Sequence, residues 1–349
     1  MATPCKNSLA FPDDAFAARV LRWYDLHGRH DLPWQVSCAY RRWVSEIMLQ
    51  QTTVAAVIPY FMRFMERFPT IDALSEAPVA DVMAHWAGLG YYARARNLHA
   101  AARVVVRTLQ GVWPQTVEGL SALPGIGRST AGAIAVFAFA ARAPILDANV
   151  RRILRRYHDE QGTGAAHTRR LWALAADHLP AERVADYTQA IMDLGALVCR
   201  KTPDCPRCPL ASDCAFTGAE PAVARTARRE RSVAMLLAQR ADGCVFLVRR
   251  PTRGVWGGLW SLPECPLADD AASCLRQHGL EARACVPLAP FTHTLTHCTL
   301  HIQPIHAQGV VTTSPQPGGD DMMWYPLDQP APGVPAPVGR LLTRLREIP

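Results

Sequence analysis

The chain has 349 residues, 49% of them hydrophobic, and 37 basic against 30 acidic side chains give it a formal net charge of +7. This length exceeds one ordinary domain and predicts two, with enough apolar residues for substantial cores. The small charge permits a polyanionic partner without establishing one, and the longest apolar run, residues 131–141, is too short to span a bilayer. The N terminus lacks a signal-type pattern, so we expect a cytosolic protein whose 11 cysteines do not form a disulfide framework.

Helical periodicity dominates the chain up to the segment in which its cysteines cluster. The first predicted helix has Phe16, Val20 and Trp23 on its apolar face and is broken at Asp31–Gln35. The further predicted helices are Tyr40–Thr53, Ala80–Ala87, Ala93–Leu109, Arg128–Ala141 and Val150–Tyr157.

The second predicted helix carries one carboxylate among apolar residues. Glu46 lies in the segment Ser45–Thr52, which reads Ser-Glu-Ile-Met-Leu-Gln-Gln-Thr. A single glutamate on a helix is usually solvated, so the pattern alone leaves a surface role and a functional role open for Glu46.

Two tyrosines and two arginines follow a pair of glycines in the segment Gly88–Asn97. The glycines permit close backbone approach, the tyrosines offer a surface on which bases stack, and the arginines neutralise phosphates. A glycine C-cap followed by interfacial tyrosines gives the same pattern, so both interpretations of Tyr91 stay open at this point.

The segment Leu123–Ala131 reads Leu-Pro-Gly-Ile-Gly-Arg-Ser-Thr-Ala and predicts a helix, a tight hairpin and a second helix. Gly125 and Gly127 can adopt positive φ and bring bare backbone close to a ligand, and the amides that begin the next helix suit a phosphate. Such a hairpin holds a nucleic-acid backbone without reading bases, although an ordinary helical turn can carry the same residues. Asp147 comes directly before the next helix, where an N-cap is the usual role.

Four cysteines fall within residues 199–214, with no histidine among them. They are Cys199, Cys205, Cys208 and Cys214, with five, two and five residues between them. Zinc also accepts four cysteines, but normally as two close pairs separated by a longer spacer. One compact loop favours a [4Fe–4S] cluster, and zinc is the alternative.

Residues 218–231 are predicted to form a linker, because they contain glycine, proline and a run of arginines. Beyond them the pattern becomes strand-like, at Ser232–Ala238 and Cys244–Arg249, with an Asp-Gly turn signal in between.

The spacing of Gly258 and Glu264 matches the opening of a Nudix box. The following helix, Ala272–Gln277, lacks the carboxylates that hold the metal ion in that box. We therefore expect recognition, and no pyrophosphohydrolase activity, from this part of the chain.

The hairpin, the apolar helix and Asp147 together are similar to the signature of the helix-hairpin-helix base-excision glycosylases. In motif content and order the chain resembles one branch, the MutY-type adenine DNA glycosylases, from about Asp31 to the C terminus. The resemblance implies a mainly α catalytic domain over residues 1–217, made of a six-helix helix-hairpin-helix module and a [4Fe–4S] cluster loop at residues 199–214. It further implies a linker at 218–231 and an α+β Nudix-like domain over 232–349.

The resemblance also implies the chemistry. Glu46 would be the acid that protonates N7 of adenine, and Asp147 the ionised carboxylate that stabilises the cationic sugar. Asn149 would orient water or Asp147, while Trp34 and Leu49 would provide apolar surroundings that raise the pKa of Glu46.

By the same resemblance, Gln51 wedges into the duplex, Tyr91 packs beside the distorted strand, and Gln189 contacts the flipped base. The residues expected to bind DNA or the base are Trp34, Leu49, Gln51, Tyr91, Gly125, Gly127, Ser129, Gln189, Thr296 and His297.

Two departures from the family pattern stand out. The family has a Phe-Ser-His triplet that probes 8-oxoguanine, whereas the loop Phe291–His297 of this chain ends in Leu295-Thr296-His297. The hydroxyl and the imidazole are kept, but leucine replaces the aromatic residue. The family also usually has six residues between its first two cysteine ligands, where this chain has five.

The implied partner is duplex DNA in which adenine is mispaired with 8-oxoguanine or guanine. Bifunctional relatives attack the sugar with a lysine in the hairpin, at the position of Ser129, and the two lysines of this chain are Lys6 and Lys201. We therefore expect a monofunctional, monomeric glycosylase that acts on a bacterial chromosome and leaves an abasic site. The alternatives are a related glycosylase for mismatched thymine or oxidised pyrimidines, and a non-catalytic iron–sulfur protein that binds DNA.

Overall fold

The structure is a computed structural model that describes residues 15–218, 228–267, 269–295, 297–313 and 320–347. The chain forms two compact units, one of residues 1–75 and 100–221 and the other of residues 76–99 and 222–349. Residues 219–227 of the predicted linker and Thr296 of the predicted recognition loop lie outside the described residues.

The described residues up to 218 form helices and turns. In chain order the helices are α1 (Phe16–His27), α2 (Ala39–Leu49), α3 (Val54–Arg67), α4 (Ile71–Glu76), α5 (Val79–Trp86), α6 (Ala93–Arg103), α7 (Val117–Ser121), α8 (Arg128–Phe139), α9 (Ala148–Tyr157), α10 (Gly164–Asp177) and α11 (Val184–Leu197). A π-helical turn, Val104–Thr108, continues α6, and 3₁₀ turns occur at Cys205–Arg207 and Ala211–Asp213.

The predicted helix Tyr40–Thr53 is too long at its C-terminal end. The chain leaves the helix after Leu49, because Gln51 has a left-handed φ of +57°. Thr53 then caps α3, since its hydroxyl accepts a hydrogen bond of 3.4 Å from the N–H of Ala56. Two helices therefore meet at this point, and the break exposes Gln51.

One apolar cluster joins α1 to α9, α10 and α11. Its buried members include Phe16, Val20 and Trp23, the three residues predicted on the apolar face of α1, together with Leu154 and Leu194. This packing fixes the start of α9 and the inner face of α11, both of which carry predicted site residues.

The described part of the second unit beyond residue 227 is α+β. Its elements are β1 (Arg229–Ala238), β2 (Val245–Arg249), β3 (Trp260–Ser261), β4 (Glu264–Cys265), α12 (Ala271–Arg276), β5 (Leu280–Glu281), β6 (Ala284–Pro287), β7 (Phe291–Thr294), β8 (Cys298–Gln308), β9 (Val311–Thr312), β10 (Met322–Tyr325) and α13 (Ala336–Arg346).

The largest sheet is built on a parallel pair, β1 and β8, with strand order β4-β1-β8-β6 and β7 also paired to β8. A second sheet has the order β10-β2-β3, and β5 pairs with β9. Strand β1 begins at Arg229, before the predicted end of the linker, because Arg229–Arg231 pair in register with Cys298–Leu300. The buried side chains of β1 and β2 pack with those of α12 and β5 into one core, which includes Leu236, Phe246, Leu275 and Leu280.

Among the described residues, no helix has both the length and the apolar character needed to cross a bilayer.

Candidate active site

Glu46 lies in the last turns of α2, next to residues that belong to the core. Ser45, Ile47 and Met48 are all buried, so the carboxyl group of Glu46 loses much of its hydration when the helix packs. This desolvation raises the pKa of Glu46 to about 7; the positive charge of Arg42 opposes the shift and the negative charge of Asp147 adds to it. Glu46 is therefore a carboxylic acid that keeps its proton into the neutral pH range.

The hairpin between α7 and α8 uses its two glycines differently. Gly125 has a φ of +78°, in the left-handed region. Gly127 has φ −86° and ψ 166°, so the expectation of a positive φ there is wrong; it is the N-cap of α8, and N-cap residues are extended. A Cβ atom on Gly127 would meet no heavy atom within 4 Å, and no side chain caps α8. This N terminus is suited to a phosphate.

Two hydroxyl groups at the start of α8 fasten neighbouring segments. The Oγ of Ser129 accepts a hydrogen bond of 3.0 Å from the N–H of Leu146, and the Oγ1 of Thr130 accepts one of 3.2 Å from the amide of Gln50. Ser129 therefore holds the residue that precedes Asp147, which is a structural role in addition to its predicted contact with DNA.

Asp147 is both the N-cap of α9 and a neighbour of the acid. Its Oδ1 accepts a hydrogen bond of 2.8 Å from the N–H of Val150, and its Oδ2 lies 3.5 Å from the Nδ2 of Asn149. Desolvation raises the pKa of Asp147, while these N–H groups and the charge of Arg152 lower it. The two predicted catalytic carboxyl groups, of Glu46 and Asp147, are thus close enough to act on each other electrostatically.

Asn149 is held in turn by Arg152, one turn further along α9. The Nη2 of Arg152 donates to the Oδ1 of Asn149 at 2.8 Å and to the carbonyl of Gly195 at 2.7 Å, and its Nε donates to the carbonyl of Cys199 at 2.6 Å. Asn149, predicted to orient water or Asp147, has its own amide orientation fixed by these bonds.

Gln189 lies on the buried side of α11, and its orientation depends on two residues that the sequence did not identify. Its Nε2 donates to the Oδ1 of Asp193 at 2.8 Å. Asp193 is fully buried and accepts further hydrogen bonds from the backbone N–H of Arg29 at 2.8 Å and from its guanidinium at 3.0 and 2.5 Å. The four-residue spacing of Gln189 and Asp193 on one helix was the available signal.

Trp34 and Leu49 differ in accessibility. Trp34 is 1% exposed and packs edge-on against Phe61, with ring centroids 5.4 Å apart. Leu49, the last residue of α2, is partly exposed. Trp34 thus contributes to the core in this conformation, and its contact with a base stays a prediction.

The two residues predicted to enter or flank the duplex both have left-handed backbones. Gln51 in the first unit has φ +57°, and Tyr91 in the second unit has φ +51°; Tyr91 is 40% exposed. Such conformations are costly for residues other than glycine and concentrate at functional sites. Each side chain is thus presented from a sharp turn.

The four predicted cluster ligands lie in one loop after α11. The pKa of Cys208 is raised to about 11, mainly by burial, and the charges of Cys199, Cys214 and Cys205 add to the shift. The thiol of Cys208 is therefore near enough to the other three cysteines to be affected by their charges. The Nη1 of Arg156 donates to the Sγ of Cys199 at 3.3 Å. Within the described residues, no three His, Cys, Asp or Glu side chains are arranged to hold one metal ion together.

In the second unit, the predicted recognition loop Phe291–His297 is a loop only in part, because Phe291–Thr294 form β7; Leu295 and His297 follow in the turn that leads to β8. The N–H of Leu295 donates to the carbonyl of Cys298 at 2.8 Å, and His297 is exposed within this turn. The predicted loss of the Nudix carboxylates agrees with α12, whose residues Ala271–Arg276 include no acid. Glu264 is instead paired with Arg250 and, at 3.0 Å, with Arg231.

Comparison with known proteins identifies a base-excision DNA repair enzyme. The model of the HhH-GPD superfamily base excision DNA repair proteins matches residues 44–175, and that of the NUDIX domain matches residues 234–344. A thermostable thymine-DNA glycosylase of known structure aligns with a TM-score of 0.52 and 26% identity, over 58% of this chain and 94% of that chain.

The chain also matches relatives that are named adenine DNA glycosylase. One from Buchnera aphidicola subsp. Baizongia pistaciae is 34% identical over 95% of this chain and 97% of its own length. Another, from Homo sapiens, is 43% identical over 57% of this chain and 39% of its own length. The chain therefore belongs to the adenine DNA glycosylase family and is a DNA glycosylase of base-excision repair.

Proposed function

We propose that this enzyme hydrolyses the N-glycosidic bond of adenine mispaired with 8-oxoguanine or guanine, as a monofunctional glycosylase that leaves an abasic site. The observation that carries the proposal is the pair Glu46 and Asp147, in which desolvation keeps one carboxyl group protonated near neutral pH. Two carboxyl groups with different protonation states are what the cleavage of a glycosidic bond requires.

Glu46 acts as the general acid. Adenine is a poor anionic leaving group, so Glu46 gives its proton to N7 while the bond between C1′ and N9 breaks and its electron pair passes to the base. The base then leaves as neutral adenine, and Glu46 is left as a carboxylate.

Asp147 stabilises the positive charge that develops on the sugar. Water adds to C1′, and the proton that it releases passes to the carboxylate of Glu46, which restores the acid. Asn149 orients this water or Asp147, and the hydrogen bond from Arg152 keeps its amide in one orientation.

Adenine must leave the stack before this chemistry, because the duplex hides the bond. The hairpin amides around Gly125 and Gly127 hold the phosphate backbone, Gln51 fills the space that the base vacates, and Tyr91 packs beside the distorted strand. Gln189 contacts the flipped base with an amide that Asp193 orients.

Residues Cys199, Cys205, Cys208 and Cys214 hold a [4Fe–4S] cluster. The proposal is supported by the effect of the other three cysteines on the pKa of Cys208, and by the fact that thiolates are the usual ligands of such clusters. When bound, the cluster cross-links the 199–214 loop.

The second unit supplies selectivity for the base opposite adenine. Thr296 and His297, which lie between β7 and β8 in the sequence, are the residues that would contact 8-oxoguanine. We further propose the domain limits 1–217 and 232–349, a monomeric enzyme, and a cytosolic location on the chromosome.

The monofunctional mechanism is tested by borohydride reduction during turnover. A lysine that attacked the sugar would be trapped as a stoichiometric adduct with DNA. The hairpin carries Ser129 at the lysine position, so we expect no adduct, and strand breaks only after alkali treatment. A stoichiometric adduct would contradict the proposal.

A further inference from the structure

Arg96 joins two segments of the second unit that are distant in sequence. It lies on α6; its Nη1 donates to the carbonyl of Gly257 at 2.5 Å and its Nη2 to that of Thr252 at 2.9 Å. Both acceptors lie in residues 251–258, which we call the Trp256 loop. The rigid fork of a guanidinium holds two carbonyl groups in one fixed geometry, whereas the flexible ammonium of a lysine does not fix their relative positions.

The Trp256 loop is tightly folded around these bonds. A Cβ atom on Gly257 would lie 2.4 Å from the carbonyl oxygen of Thr252. Gly258 has φ +79°, and a Cβ atom there would lie 3.4 Å from the Nη1 of Arg96. Trp256 itself has φ +58°, a conformation that persists in residues other than glycine only where the surroundings enforce it.

The Trp256 loop contacts the strand that leads into the recognition turn. Trp256 is buried, and its ring lies 5.8 Å from that of His293 on β7. His293 is two residues before Leu295, whose N–H closes the turn onto Cys298. A shift of the loop would therefore move the base of the turn that presents His297.

Tyr91 is fixed to the same helix as Arg96. The carbonyl of Tyr91 accepts a hydrogen bond of 2.9 Å from the N–H of Arg94, at the start of α6. The guanidinium of Arg94 is buried and donates to the carbonyl of Gly90 at 3.1 Å. The turn that presents Tyr91 and the side chain of Arg96 are thus both attached to the start of α6.

We propose that Arg96 is a positioning residue that sets the turn between β7 and β8 relative to Tyr91, and so contributes to the choice of the base opposite adenine. This inference rests on the proposed function, in which Tyr91 and the turn both contact DNA near that base. Both Nη atoms of Arg96 donate to carbonyl groups of the Trp256 loop, so Arg96 acts through that loop and the phosphate-neutralising role suggested by the sequence pattern is not proposed for it.

The test measures single-turnover cleavage of adenine opposite 8-oxoguanine and opposite guanine. The variants are Arg96→Met, Arg96→Lys and, as a matched control, Arg103→Met, which removes an exposed arginine from the same helix. We define the ratio as the rate opposite 8-oxoguanine divided by the rate opposite guanine. We expect Arg96→Met to lower this ratio about tenfold, equivalent to about 1.4 kcal/mol, because the rate opposite 8-oxoguanine falls and the rate opposite guanine does not change. Arg96→Lys should lie in between, and Arg103→Met should match the wild type.

A second arm separates positioning from general damage. If Arg96 acts through the turn, His297→Ala lowers the same ratio, and adding Arg96→Met to it lowers the ratio no further. Independent, additive losses would overturn the inference, as would an unchanged ratio or equal losses on both duplexes. If Arg96→Met does not fold, the same outcomes are read from Arg96→Lys. Failure of the wild type to cut adenine would instead contradict the proposed function.

Discussion

Asp147 accepts a hydrogen bond of 2.8 Å from the N–H of Val150, and its charge also raises the pKa of Glu46. One carboxylate therefore caps a helix and, in the proposed mechanism, completes the catalytic pair. The structural role fixes the position of the side chain, because the cap leaves it little rotational freedom. The two roles can be separated by experiment.

Replacing Asp147 by asparagine keeps the cap and removes the charge. Asparagine caps helices as well as aspartate does, so we expect the free energy of unfolding to change by less than about 1 kcal/mol. The single-turnover rate should fall by about 10²–10³, as expected when a group that stabilises developing charge is lost. Asp147→Ala is the control that loses both roles. A rate near that of the wild type in Asp147→Asn would exclude an electrostatic role.

The raised pKa of Glu46 predicts the pH dependence of the reaction. Because Glu46 must be protonated to act, the single-turnover rate should be constant in mildly acidic solution and fall as the pH rises through about 7, by about tenfold per pH unit. Glu46→Gln should abolish most of the rate and all of this dependence. A wild-type profile that is flat between pH 6 and 8 (roughly one unit on either side of the midpoint) would argue against Glu46 as the acid.

The same pKa has a consequence for stability. A carboxyl group whose pKa is higher in the folded state stabilises the fold fully below its unfolded pKa, and this contribution disappears as the pH rises through the folded value. Glu46 therefore stabilises the fold below pH 4.5 and ceases to do so near pH 7. The melting temperature of Glu46→Gln minus that of the wild type should therefore be larger at pH 8 than at pH 5.

The buried pair of Arg29 and Asp193 should be essential to stability. Asp193 has no exposed surface, so Asp193→Asn leaves the charge of Arg29 without its partner and should cost about 3–5 kcal/mol. Calorimetry would show this as a lower melting temperature. The double variant Arg29→Gln with Asp193→Asn removes both charges and should recover part of the loss. If the double variant loses more free energy of unfolding than the two single variants lose together, the pair does not act as proposed.

The cysteine loop makes a prediction about composition. Protein purified without oxygen should contain iron and acid-labile sulfide in equal amounts, and Cys208→Ser should lower both together with the melting temperature. Cys244→Ser, outside the loop in the second unit, is the matched control and should retain both. Zinc in place of iron would contradict the [4Fe–4S] assignment.

Local patterns predicted those parts of the molecule that depend on local chemistry. The apolar face of α1, the left-handed Gly125 and the change from helices to strands after the cysteine loop follow from residue order alone. The segments that contain Glu46 and Asp147 were recognisable because several motifs occur in one order.

Features that depend on long-range packing were not predictable in this way. The partner of Asp193 is Arg29, 164 residues away, and no periodicity links the two. The grouping of residues 76–99 with the C-terminal unit follows from contacts such as that between Arg96 and Gly257. Gly127 was misread because its role as N-cap, which requires extended backbone, depends on where α8 begins.

We propose Glu46 as the acid of an adenine-specific glycosylase. This role is tested most directly by single-turnover cleavage of four matched duplexes, with adenine opposite 8-oxoguanine, guanine or thymine and with thymine opposite guanine. Wild type and Glu46→Gln are compared after alkali treatment. We predict cutting at adenine opposite 8-oxoguanine or guanine, and its loss in the variant. Cutting of thymine opposite guanine, tight binding with no cutting, or full activity of Glu46→Gln would contradict the account.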